Sequence, residues 1–109
     1  MTEGEAHLAE LAGVLAHLER LLGAGKANYD TNFATRLAFQ RLWIVAGECA
    51  KRYCDASDDD LGLDPWASLW GYRNFLAHRL LSEINDDRVW HETAADLKDL
   101  RQRLGPIPR

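Results

Sequence analysis

Phe33–Tyr53 reads FATRLAFQRLWIVAGECAKRY, and the fold turns on this stretch. Its large apolar residues, Leu37, Phe39, Leu42, Trp43, Ile44 and Val45, lie on more than one side of a helix. A helix that is apolar nearly all round is buried on nearly all sides. In so short a chain this predicts a central helix that also meets another subunit.

Amphipathic helices flank it. Leu8, Leu11, Leu15, Leu18 and Leu22 follow a 3-4-3-4 spacing, which Trp90, Thr93, Leu97, Leu100 and Leu104 repeat, so each helix has one face to bury. Gly23 and Gly25 end the first helix, and Asp30 or Thr31 can cap the central one. DASDDDLGLD is a loop. Asp64-Pro65 then starts a helix carrying PWASLWGYRNFLAHRLL. Asn85 and Asp86 cap the last helix, which Gly105 and Pro106 stop. There is no sustained alternation and no Asn-Gly or Asp-Gly hairpin turn, so strands are not expected. The prediction is an all-α, up-and-down bundle of about four main helices, one domain over residues 1–109.

Composition agrees. Of 109 residues 47 % are hydrophobic and 28 % charged, an ordinary globular balance that builds a core without disulfides or metal. No apolar run approaches the ~20 residues of a membrane span, and the acidic start MTEGEAHLAE is unlike a signal peptide. A cytoplasmic location is expected. Cys49 and Cys54 lie five apart on one helix, where their side chains diverge, and they lack metal-ligand spacing. Both read as packing residues, with no metal or cofactor site expected. The net charge of −4 argues against a uniformly basic surface that coats nucleic acid. Yet residues 20–52 hold six basic side chains against two acidic ones, and residues 53–64 hold five acids and no base. A local basic face can coexist with an acidic loop.

Chemistry concentrates in Arg73-Asn74-Phe75-Leu76-Ala77-His78. Asn74 and His78 are i,i+4 neighbours, so the amide can reach the imidazole and help fix its tautomer. Arg73 precedes His78 by five residues, about 140° around a straight helix, and shares its face only through its long side chain or a local kink. An imidazole takes or gives a proton at neutral pH. A guanidinium fork matches two phosphate oxygens and stabilises the charge of a phosphoryl transition state. The pair suits metal-independent RNA cleavage to a 2′,3′-cyclic phosphate, and DNA, lacking the 2′-hydroxyl, should resist. One histidine is thin for a reaction that wants both an acid and a base. A two-fold dimer places two His78 and two Arg73 in one cleft.

The wider pattern from Arg41 to Leu104 resembles the HepT-like branch of HEPN-domain proteins. RLWIVAGECAKR stands where that branch has its "xIGEAA" helix, DPWASLWGYRNFLAHRL where it has "PWxxIxGxRNxxxH", and DDRVWHETAADLKDL where it has "D…VWxTxxxDLxxL". The likeness extends more loosely over the first helix. It implies an all-α HEPN fold, a homodimer, metal-independent ribonuclease activity and a toxin role, opposed by an MntA-type minimal nucleotidyltransferase antitoxin. Arg73 and His78 match the catalytic positions and Asn74 the polar residue after the arginine. Glu48 matches the glutamate of the preceding helix. There it forms a stripe with Arg41 and Arg52 that either shapes the cleft or makes a salt bridge. One departure stands out: many members continue H-x-Y, with a tyrosine that accepts AMP, and here the position is Leu80. Tyr72 is a substitute acceptor or, better, a packing residue. Either the antitoxin acts by occlusion or this branch has lost the system. The alternative function is a non-catalytic HEPN subunit that binds nucleotide or a nucleotidyltransferase; a third is a plain helical dimerisation module.

The remaining candidates read as structural. His7, His17 and His91 are surface residues. Trp43, Trp66, Trp70 and Trp90 could stack bases but belong to the core at these spacings. Asp58-Asp59-Asp60 lacks the alternating ligands, central glycine and terminal glutamate of a calcium loop.

Overall fold

Short polar side chains set the helix starts in the computed structural model, which describes residues 1–105. Thr2 Oγ1 accepts from the Glu5 amide and Glu5 Oε1 accepts from the Thr2 amide, both at 3.1 Å. This reciprocal box opens α1 (Glu3–Gly23). Gly25, at φ 93°, takes a left-handed turn open to glycine and leads directly into a short helix, α2 (Lys26–Thr31). Asn32 Oδ1 then accepts from the Thr35 amide at 3.1 Å and starts α3 (Phe33–Ala56).

Asn32 is therefore the cap of the central helix, not Asp30 or Thr31. Those two belong to α2, where Asp30 pairs with Lys26 at 2.7 Å and the Thr31 hydroxyl donates back to the Ala27 carbonyl at 2.8 Å. Asp64 Oδ1 accepts from the Ser68 amide and hydroxyl, fastening the first turn of α4 (Trp66–Ala77). After a 3-10 turn at Leu81–Glu83, Asn85 Oδ1 accepts from the Arg88 amide at 3.1 Å and opens α5 (Asp86–Leu104). Gly105 follows at φ 61°; Pro106, the other expected stop, lies outside the described residues. The four expected main helices are thus α1, α3, α4 and α5, with α2 added, and no strand occurs among the described residues.

α3 is central. It packs chiefly on α1 and α4, with α2 and α5 closing the remaining sides. Phe39, Trp43, Ala46 and Ala50 are buried among Leu11, Leu15 and Leu18 of α1, Leu69 and Leu76 of α4, and Val89, Leu97 and Leu100 of α5. Tyr29 secures α2: its ring meets Phe39 edge-on at 4.8 Å and its hydroxyl donates to the Asp86 carbonyl at 2.7 Å. Leu42, Ile44 and Val45 are half-buried against the same core. Only Phe33 and Leu37 stand exposed among the large apolar residues of α3. The chain's own helices therefore bury most of the apolar pattern of α3.

One polar link crosses this core. Trp43 Nε1 donates to Thr93 Oγ1 at 2.8 Å, and that hydroxyl donates to the Val89 carbonyl at 2.6 Å. Thr93→Val keeps the shape but orphans the indole N–H, an expected loss of about 1–3 kcal/mol, measurable by urea unfolding. A variant as stable as the parent would show that the link contributes nothing.

Cys49 and Cys54 are buried free thiols, and burial pushes Cys49 up to about 11. No helix among the described residues is long and apolar enough to cross a membrane.

Candidate active site

Gly47 brings α3 and α4 together. A Cβ built on it would lie 2.2 Å from Arg73 Cβ and 2.7 Å from the Leu69 carbonyl oxygen. Only a hydrogen fits. The backbones meet, and the next residue of α3, Glu48, reaches the next turn of α4.

Arg73 is held from several directions there. Its Nη2 pairs with Glu48 Oε1 at 2.9 Å, its Nη1 donates to Asn74 Oδ1 at 3.0 Å, and its guanidinium lies 5.1 Å from the centre of the Trp70 ring. Nε is buried without a partner among the described residues. One quarter of the Arg73 side chain remains exposed. Each terminal nitrogen carries two N–H donors, so one on each is left after these two bonds. That is the fork a phosphate accepts from.

Glu48 does make a salt bridge, but its close partner lies across the helix pair. Arg52 Nε stands 3.9 Å away, against 2.9 Å for Arg73. Asn74 likewise does something other than expected. Its side-chain oxygen is engaged by Arg73, and its link to His78 is a backbone bond, the His78 amide donating to the Asn74 carbonyl at 3.2 Å.

α4 also stops sooner than the sequence suggests. Ala77 is its last residue, and His78 follows at φ −105°, ψ 5°. The Leu80 amide donates to Glu83 Oε1 at 2.8 Å, and Ile84 is buried at the base of α5, so the chain is drawn off the helix axis. His78 therefore projects from a helix end. Its imidazole is exposed and has no hydrogen-bond or ion-pair partner among the described residues. Glu48, Arg73 and Asn74 form one contact group; His78 stands beyond it.

Trp70, read from the sequence as a core residue like the other three tryptophans, is instead half-buried outside the core cluster and faces the Arg73 guanidinium, and Gly47 escaped the sequence reading. The signals were present: Trp70 sits three residues before Arg73, one turn away, and Gly47 directly precedes Glu48.

The family model described as Ribonuclease HepT-like matches residues 11–107. The chain belongs to this family. The match to the HepT-like ribonucleases is wider than the Arg41–Leu104 span over which motifs were legible, and it takes in most of α1. The all-helical HEPN architecture agrees with it. Comparison with curated proteins and with solved structures gave no match.

The tyrosine that many HepT-like proteins carry after the histidine is replaced here by Leu80, which is exposed. Tyr72 is no ready substitute. It packs edge-on to Trp43 at 5.8 Å and parallel to Phe75 at 6.3 Å, and its hydroxyl is enclosed without a partner among the described residues. Burial holds that hydroxyl far above an ordinary phenol.

The other candidates behave as surface groups. His91 is exposed, His17 accepts from Arg20, and His7 lies 3.8 Å from Glu3. Asp59 accepts from the Tyr53 hydroxyl and Asp60 from the Gly62 amide. Among the described residues no three His, Cys, Asp or Glu side chains converge as metal ligands.

Proposed function

We propose that this chain is a metal-independent endoribonuclease toxin, a single HepT-like unit that works as a homodimer. The observation that carries the reading is the restrained Arg73 guanidinium, five residues before a projecting His78 that has no partner among the described residues, in a member of a ribonuclease family. Arg73 binds the non-bridging oxygens of the scissile phosphate. One His78 takes the proton of the ribose 2′-hydroxyl, and the 2′-oxygen attacks phosphorus. The 5′-oxygen leaves with a proton from the second His78, and a 2′,3′-cyclic phosphate remains. Each protomer supplies one such imidazole, so both protonation roles require two protomers. Glu48 and Asn74 are positioning residues for Arg73.

The partner is a minimal nucleotidyltransferase antitoxin of the MntA type, in the cytoplasm. An aliphatic Leu80 cannot accept AMP, so neutralisation here proceeds by covering the Arg73–His78 face. Leu80 is also the observation that favours the second reading, a non-catalytic HEPN subunit that binds nucleotide or a nucleotidyltransferase.

Purified protein in EDTA is expected to cut a labelled RNA to fragments ending in a cyclic phosphate, and to leave DNA of the same sequence intact. Absence of cleavage at every protein concentration would sink the nuclease, and stable complex formation with a nucleotidyltransferase would then decide for the second reading.

A further inference from the structure

We infer that the cleft between α1 and α3, rimmed by Arg20 and Arg41, is a subsite for an RNA nucleotide flanking the scissile phosphate. This deepens the ribonuclease reading and rests on it. Most cations of the molecule are already engaged: Lys26, Arg36, Lys51, Arg52, Arg73, Arg88, Arg101 and Arg103 each have a carboxylate within ion-pair distance. Among the described residues Arg20, Arg41, Arg79 and Lys98 have none. Two of these four rim one cleft, and a third, Arg79, adjoins His78.

The cleft has the chemistry of a nucleotide seat. Leu21, Ala38 and Leu42 give it an apolar floor, His17, Arg20 and Arg41 a cationic and polar rim, and its volume is about 370 Å³. Arg20 Nη2 donates to His17 Nδ1, which steadies the guanidinium on the rim. A base can lie on the floor while its phosphates meet two arginines free of carboxylates. The two clefts beside α5 offer the opposite field. Asp64, Asp96 and Asp99 line one and Glu83 and Glu92 the other, and their arginines, Arg103 and Arg88, are paired with Asp99 and Glu92. A polyanion is repelled there and attracted to the α1–α3 cleft.

Position ties the cleft to the chemistry. Arg41, Glu48 and Arg52 are seven and four residues apart, so all three fall within about 20° of one line along α3. Arg41 thus lies about 10 Å along the helix from Glu48, whose carboxylate holds Arg73. A short single strand spans that interval.

The test uses His78→Ala protein, so that the probe stays intact, and a fluorescent single-stranded RNA of about ten nucleotides. Adding Arg20→Ala or Arg41→Ala should each weaken binding about tenfold, and the slope of log affinity against log salt should fall by ~0.7 for each lost phosphate contact. Lys98→Ala, an exposed cation on α5, should bind like its parent. Unchanged affinity in the Arg20→Ala/Arg41→Ala protein overturns the subsite, and so does a change in sedimentation mass in place of RNA affinity, which would mark the cleft as a contact between copies. The two readings fail separately: arginine-dependent binding without wild-type cleavage keeps the subsite and sinks the nuclease, whereas cleavage with arginine-independent binding does the reverse.

Discussion

His78→Ala is expected to slow RNA cleavage by about 10²–10⁴-fold, the usual worth of a general acid or base, with no loss of helix content or melting temperature. The stability half of that statement follows from burial. His78 lies past the end of α4, exposed, and among the described residues only its backbone amide is engaged, so truncation removes nothing from the core. Arg73→Ala should cost about 10²–10³-fold through loss of the transition-state fork. It is a less clean variant, because the stem of Arg73 packs on Gly47 and its tips hold Glu48 and Asn74. Arg73→Lys separates the effects: it keeps the charge and most of the stem but not the bidentate geometry, and activity should still fall. Glu48→Gln should lose less than either, since the amide oxygen can still accept from Nη2. Initial rates on labelled RNA, with thermal unfolding of each variant, measure all four. Cleavage at the parental rate by both the His78 and Arg73 variants would remove these residues from the mechanism.

The second large effect falls on Gly47. On an isolated helix Gly47→Ala would gain about 1 kcal/mol of propensity. Here the added methyl would enter space held by Arg73 Cβ at 2.2 Å and the Leu69 carbonyl at 2.7 Å. Neither is the far end of a flexible chain, so α3 and α4 must move apart. We expect a net destabilisation of about 3 kcal/mol, the upper range for an overpacked interior. Because the same shift displaces Arg73 from Glu48 and Trp70, activity should drop beyond what the unfolded fraction explains. Urea unfolding and single-turnover cleavage, both at a temperature where the variant is folded, read the two components. An alanine variant as stable as the parent would contradict the close crossing.

Legibility varied with the range of the interaction. Asn85 was readable as a cap because a cap bonds an amide three residues away, and the leucine spacings of the first and last helices were readable because one face repeats every turn. Asn32 was missed because α2 is only six residues long and too short to show periodicity. The apolar excess of α3 was read correctly as central burial, and the chain's own helices account for most of it. How many neighbours a helix has is a property of the packed chain.

By itself the sequence determined the helical class, the starts of the last two helices, and the Arg73–His78 motif that places the chain near a ribonuclease family. These depend on residues within a turn or two of one another. Tertiary structure alone decided that Glu48 serves Arg73 and not the arginines of its own helix, that Asn74 turns to Arg73 and not to His78, and that α4 ends at Ala77. Each of these depends on how close α3 and α4 approach at Gly47, or on Ile84 being buried at the base of α5. Spacing along a single helix carries no record of the helix packed against it.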